Sequence, residues 1–143
     1  QGLSCLCKGG YATKKDLDFA EKIFGLLGRT LILKEGMMDA ATAISGSGPA
    51  YFFYLTEMLE KCAIEMGIDR ERARLLAVKT AVGSALLLTD GDADAETLRR
   101  RVTSKGGTTE AAFRYFFENK LEQILKKGIE AARKRAKELS EEK

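Results

Sequence analysis

The densest run of chemistry-bearing groups in the chain is Thr103-Ser104-Lys105-Gly106-Gly107-Thr108-Thr109. It places three threonines, a serine, a lysine and two glycines between two helical patterns. Gly106 and Gly107 let the backbone expose consecutive N–H groups, and Thr108 or Thr109 is placed to cap the next helix. Such a turn suits a carboxylate. A plain capped loop explains Ser104 and Thr108 but leaves the paired glycines without a reason.

A second segment, Ser45-Gly46-Ser47-Gly48-Pro49-Ala50-Tyr51, opens another helix. Its N–H groups, the hydroxyls of Ser45, Ser47 and Tyr51 and the positive helix end suit a polar ligand. A flexible break before a capped helix is the structural alternative. A dinucleotide fingerprint requires Gly-x-Gly-x-x-Gly directly after a strand. Here the third glycine is missing and a helix precedes, and the segment does not match a P-loop either. Asp90, Asp92 and Asp94 alternate like the start of a calcium loop, but the rest of that loop is missing, so solvated turn residues are expected.

The chain has no His, which excludes a Ser-His-Asp triad, a Cys-His dyad, a histidine zinc site and an imidazole general base. Cys5, Cys7 and Cys62 form neither an even set nor a C-x-x-C pair, so reduced thiols are expected rather than a disulfide framework, and no metal site. With 24 Lys and Arg against 21 Asp and Glu, the net charge of +3 gives no basic face for nucleic acid. The basic cluster Arg133 to Lys137 is interleaved with Glu130 and Glu138, as on an ion-paired, solvated helix. No stretch approaches the roughly 18 apolar residues of a membrane span, and the start is not a signal peptide, so a cytoplasmic protein is expected. The first residues, Gln1-Gly2-Leu3-Ser4-Cys5-Leu6-Cys7, alternate like a strand without a preceding partner, as in a chain cut from a larger protein.

The elements around these segments follow from periodicity. After the first strand, Thr13 and Asp16 make a capping box for a helix carrying Leu17, Ala20, Ile23, Phe24 and Leu27, which Gly28 ends. Thr30 to Lys34 reads as a second strand. Everything after Glu35 reads as helical: Met37 to Ile44, a break at Gly46 to Gly48, and a long helix from Pro49 to Gly67 with a stripe of Tyr51, Leu55, Met58, Cys62 and Met66. Asp69 caps a helix over roughly 70–89, whose small residues Ala73, Ala77, Thr80, Ala81, Gly83, Ser84 and Ala85 suit burial among other helices. A short helix carrying Arg99, Arg100 and Arg101 follows, then one with Phe113, Phe116 and Phe117, and a last helix from about Lys120 to Leu139. Its Glu122/Lys126 and Glu130/Lys134 pairs have favourable spacing. The fold class is mostly α with a small strand-helix-strand unit in front, and faces apolar on more than one side imply partner helices from a second copy.

Met38-Asp39-Ala40 through Ser45-Gly46-Ser47-Gly48-Pro49-Ala50-Tyr51, with Val102-Thr103-Ser104-Lys105-Gly106-Gly107-Thr108-Thr109 at this separation, resembles pyrroline-5-carboxylate reductases over nearly the whole chain. The resemblance implies that residues 1–35 are the tail of a Rossmann cofactor domain. Residues 36–143 would be a helical dimerisation and substrate-binding domain of the 6-phosphogluconate dehydrogenase C-terminal kind. It implies reduction of a cyclic imine, 1-pyrroline-5-carboxylate, to L-proline with NADPH or NADH bound by the missing domain, in a homodimer or higher homo-oligomer. Ser104, Gly106, Gly107, Thr108 and Thr109 would hold the substrate, with backbone N–H groups and the Ser104 hydroxyl on its carboxylate and the Thr109 hydroxyl facing its ring nitrogen. Ser45, Ser47 and Pro49 would lie near the nicotinamide, and Asp92 near the imine side of the pocket. Such chemistry needs positioning and charge stabilisation more than a histidine.

Lys105 departs from the family's usual Ser-Pro-Gly-Gly, losing a fixed φ and gaining a cation. The chain by itself is expected to be inactive. The alternatives are the helical substrate domain of another imine or hydroxyacid dehydrogenase, and a non-catalytic helical dimerisation module.

Overall fold

Thr13 and Asp16 start the first helix by reciprocal hydrogen bonds. In a computed structural model of the chain, which describes residues 2–142, the Asp16 carboxylate accepts from the Thr13 amide at 2.7 Å while the Thr13 hydroxyl oxygen accepts from the Asp16 amide. Helix α1 (Lys14–Gly25) lies in sequence between strands β1 (Gly2–Leu6) and β2 (Gly28–Ile32). The strands pair in parallel, Gly2 opposite Gly28 and Leu6 opposite Ile32, so β1 has a partner and the strand-helix-strand order stands.

Two boundaries differ from the sequence expectation. The helix ends at Gly25 with Leu26 as its cap, and Gly28 opens β2 instead of stopping the helix. A side chain at Gly28 would run into the backbone of Gly2. The glycine therefore serves the close approach of the two strands, a need that local helix-stop signals do not report.

A 3₁₀ turn (Glu35–Met37) leads into the short helix α2 (Met38–Ala41). The chain then widens into a π turn over Thr42–Gly46, closed by the Ser47 amide donating to the Thr42 carbonyl at 2.9 Å. The expected single helix over Met37 to Ile44 is thus three different windings. The expected break narrows to Ser47, after which α3 (Gly48–Glu65) begins with Pro49 in its first turn. These elements, as far as Pro49, form one compact unit with the stretch from Lys126 onward; Ala50–Leu125 forms the other.

In the second unit the helix ends follow local chemistry. Past α3, the Gly67 amide donates to the Ile64 carbonyl and the Ile68 amide to the Ala63 carbonyl, a Schellman ending. Helix α4 (Arg70–Thr89) starts at Asp69, whose carboxylate accepts from the Arg72 amide at 3.1 Å. Helix α5 (Ala95–Arg101) starts in the same way at Asp94. Helix α6 (Thr108–Glu118) follows, and Lys120, in the left-handed region at φ 58°, joins it to α7 (Leu121–Glu141), whose residues from Lys126 onward belong to the first unit.

Few apolar side chains are enclosed. Among the described residues only Ala43, Ala73 and Ala77 are buried hydrophobics. The small-residue stretch of α4 is therefore enclosed only in its first half, whereas Leu86, Leu87 and Leu88 are 54%, 58% and 48% exposed. The α3 stripe is open too, with Leu55 exposed on it and Met66 exposed just past its end. Apolar area left in water at roughly 25 cal/mol per Å² is a large unfavourable term for one chain.

On α7, Glu130 takes both Nε and Nη2 of Arg133, at 3.1 and 2.8 Å. Lys134 instead faces Glu138 at 3.9 Å, so the expected Glu130/Lys134 pair gives way to the guanidinium fork one residue nearer. Arg135 bridges Glu138 and Glu142, as befits a solvated face whose pairs each contribute little. Among the described residues no helix is long and apolar enough to cross a membrane, and no cluster of three or more His, Cys, Asp or Glu is placed to hold a metal ion.

Candidate functional site

The run Thr103 to Thr109 is the connection between α5 and α6. Thr103 stays with α5, its hydroxyl donating to the Arg99 carbonyl at 2.7 Å. Ser104 to Gly107 is a tight turn closed by the Gly107 amide donating to the Ser104 carbonyl at 3.0 Å. Gly106, its third residue, has φ 74°, the positive value a type II turn demands there. A Cβ on Gly107 would stand 2.5 Å from the Ser104 hydroxyl oxygen and 3.1 Å from its carbonyl oxygen. Both glycines therefore have a reason within the turn itself, which the sequence reading did not find.

Gly107 is the N-cap of α6, in extended conformation and without a side-chain cap. Neither Thr108 nor Thr109 caps, contrary to expectation, because the turn already ends one residue earlier and Thr108 is the first helical residue. Glu110 fills the role a capping side chain would have: its Oε2 accepts from the Gly106 amide at 2.7 Å. Glu110 escaped notice in the sequence. Its signal was a carboxylate three residues after the true N-cap, where a side chain can reach back across the helix start.

Among the described residues the amides of Thr108, Thr109 and Glu110 have no hydrogen-bond acceptor, as expected for the first turn of a helix. Ser104, Lys105 and Thr108 are exposed and Thr109 is half-buried. Free amides, the hydroxyls of Ser104, Thr108 and Thr109 and the positive end of an 11-residue helix suit an oxyanion. Arg99 is engaged elsewhere, its guanidinium 5.1 Å from the centre of the Phe113 ring and 6.0 Å from that of Phe117.

Asp92 lies on the connection between α4 and α5. It lines a hollow with Asp90, Asp94, Thr97 and Arg101 that none of residues 103–109 shares. Of the three alternating aspartates, Asp94 is a helix cap: the Thr97 amide donates to its carboxylate at 2.7 Å. That backbone bond, seconded by the Thr97 hydroxyl, holds the Asp94 carboxyl below the usual carboxylate range.

Ser45, Ser47 and Pro49 belong to the first unit. Ser45 and Gly46, on the π turn, line a small hollow with Leu3, Cys5, Met38 and Thr42. Ser47 is half-buried, with its amide committed to Thr42, and Pro49 is exposed. The π turn was not legible in the sequence. Such turns are frequent at functional sites, and this one coincides with the Ser-Gly segment singled out above.

Residues 35–139 match the family model described as pyrroline-5-carboxylate reductase dimerisation. The chain is 38% identical over 143 residues to pyrroline-5-carboxylate reductase of Pseudomonas aeruginosa, covering 99% of this chain and 52% of that protein. It is 37% identical over 131 residues to pyrroline-5-carboxylate reductase 2 of Bacillus subtilis, covering 92% and 47%. It thus spans about half the length of the curated relatives it matches. Among solved structures, a pyrroline-5-carboxylate reductase from Coxiella burnetii superposes with a TM-score of 0.85 at 34% identity, over 96% of this chain and 51% of that one. The Plasmodium falciparum pyrroline carboxylate reductase with NADP bound gives 0.83 at 29% identity, over 93% and 54%. With most of its length inside the family model, the chain belongs to the pyrroline-5-carboxylate reductase family, of which it carries the dimerisation part.

Proposed function

We propose that the chain is the dimerisation and substrate-binding part of an enzyme that reduces 1-pyrroline-5-carboxylate to L-proline. The observation that carries this reading is the Ser104–Gly107 turn opening α6, which lies inside the matched residues 35–139. The substrate is a carboxylate next to a ring C=N. Its carboxylate meets the free amides of Thr108 and Thr109 and the Ser104 hydroxyl, and the Thr109 hydroxyl faces the ring nitrogen that ends up protonated. Holding the ring by its carboxylate fixes the imine carbon in one place, which is the positioning such a reduction needs.

The described residues do not fit a dinucleotide. Gly46-Ser47-Gly48 spans a π turn and a helix start instead of following a strand, and the third glycine of the fingerprint is absent. We assign the cofactor, NADPH or NADH, to a domain whose tail is residues 1–35, with 36–143 as the helical domain. Ser45, Ser47 and Pro49 are the residues of this chain assigned to the nicotinamide side. The exposed apolar faces of α3 and α4 support a homodimer or higher homo-oligomer, which burying them would stabilise.

The test is steady-state turnover of the full-length protein with NADPH and NADH on 1-pyrroline-5-carboxylate and on a panel of other cyclic imines and hydroxyacids. The reading expects pyrroline-5-carboxylate to be the preferred substrate, and the 143-residue chain to dimerise in light scattering without turning over. A preference for another imine, or a stable monomer, contradicts it.

A further inference from the structure

Glu110 adds a feature to the turn that its role as a carboxylate receptor does not require. Its Oε2 already accepts from the Gly106 amide at 2.7 Å, so a carboxylate of the chain's own rests on the turn that, under the proposed function, receives the carboxylate of the substrate. The Gly107–Ser104 bond is backbone to backbone and builds the turn. The Glu110 bond is made by an exposed, flexible side chain from the first turn of α6, which can swing into water at little cost. Two carboxylates on neighbouring amides of one turn, Glu110 on Gly106 and the substrate on Thr108 and Thr109, repel, and the positive helix end that attracts the substrate also stabilises Glu110.

We infer that Glu110 is an electrostatic competitor of the substrate's carboxylate: held on the Gly106 amide beside the free amides of Thr108 and Thr109, its charge opposes both substrate and product, each of which carries that group. The inference rests on the proposed function. Its consequence is a weakened hold on the product, so that a turn able to grip a carboxylate still releases the cyclic amino acid. Glu110→Gln keeps a carbonyl oxygen to accept from Gly106 and removes only the charge, whereas Glu110→Ala removes both.

The experiment is kcat and KM of the full-length protein for pyrroline-5-carboxylate, with inhibition by L-proline, for wild type and both variants at low and at about 0.5 M salt, where the screening length falls to a few ångströms. Competition predicts that KM and the proline inhibition constant both fall about three- to ten-fold in Glu110→Gln and Glu110→Ala, with the gap to wild type narrowing at high salt. An unchanged or raised KM in Glu110→Gln overturns it. So does a raised KM in Glu110→Ala alone, which makes Glu110 a support for the turn. A wild-type protein that does not reduce pyrroline-5-carboxylate at all removes the proposed function, and this inference with it.

Discussion

The Ser104 hydroxyl occupies the space that a side chain on Gly107 would need: a Cβ there stands 2.5 Å from Ser104 Oγ. Serine and glycine are thus fitted to each other across the turn, and the residue pair ties the hydroxyl's position to the backbone that opens α6. Replacing Gly107 by alanine forces the hydroxyl or the turn to move, an overpacking cost of about 1–3 kcal/mol. In a Ser104→Ala background the cost shrinks but does not vanish, because the Ser104 carbonyl remains 3.1 Å from the new methyl. Denaturant melts of the four proteins in this cycle give the coupling. Equal costs in both backgrounds contradict the fit described.

Lys105 occupies the second position of the turn, where type II geometry favours proline. Its amide has no acceptor among the described residues. Lys105→Pro is therefore expected to stabilise the protein by about 0.4–1 kcal/mol through the unfolded chain, read as a raised melting temperature. A loss of stability would mean that the Lys105 backbone does not hold the φ that proline requires.

Two helix caps predict the response to acid. The Thr13 hydroxyl and then the Thr13 amide lower the Asp16 carboxyl, and the Thr97 amide and hydroxyl lower that of Asp94. Groups depressed in the folded state contribute stability that is complete above their unfolded value of about 4 and is lost as pH falls through the lower folded value. Melting temperature should fall below about pH 4. Asp94→Asn keeps an N-cap acceptor that does not titrate, so its melting curve should fall less steeply over that range. A slope unchanged from wild type would place the acid response elsewhere.

Asp69 and the Thr13/Asp16 box were legible in the sequence because a cap is decided within four residues, and both stand where they were read, whereas Asp94, read as a solvated turn residue, is a cap as well. Gly28 was misread because its reason lies across the sheet at Gly2, which no local pattern reports. The start of α6 was placed too late because Thr108 and Thr109 are good caps by type, while the turn geometry had already ended the loop at Gly107. That shift also hid Glu110, whose position three residues after the cap appears only once Gly107 is known to be the cap. The apolar stripe expected along Pro49 to Gly67 falls on α3 as far as Cys62, with Met66 just past the helix end, yet Leu55 and Met66 are exposed. Periodicity says which face is apolar; it does not say whether the cover comes from the same chain.

The most direct test of the account is Thr109→Val in the full-length protein, which keeps the shape of the side chain and removes its hydroxyl. With the hydroxyl facing the ring nitrogen, kcat/KM for pyrroline-5-carboxylate should fall at least about a hundredfold, with oligomeric state and melting temperature unchanged. A kcat/KM within about twofold of wild type would mean that no transition-state interaction was lost, and the turn between α5 and α6 would then not be the substrate site.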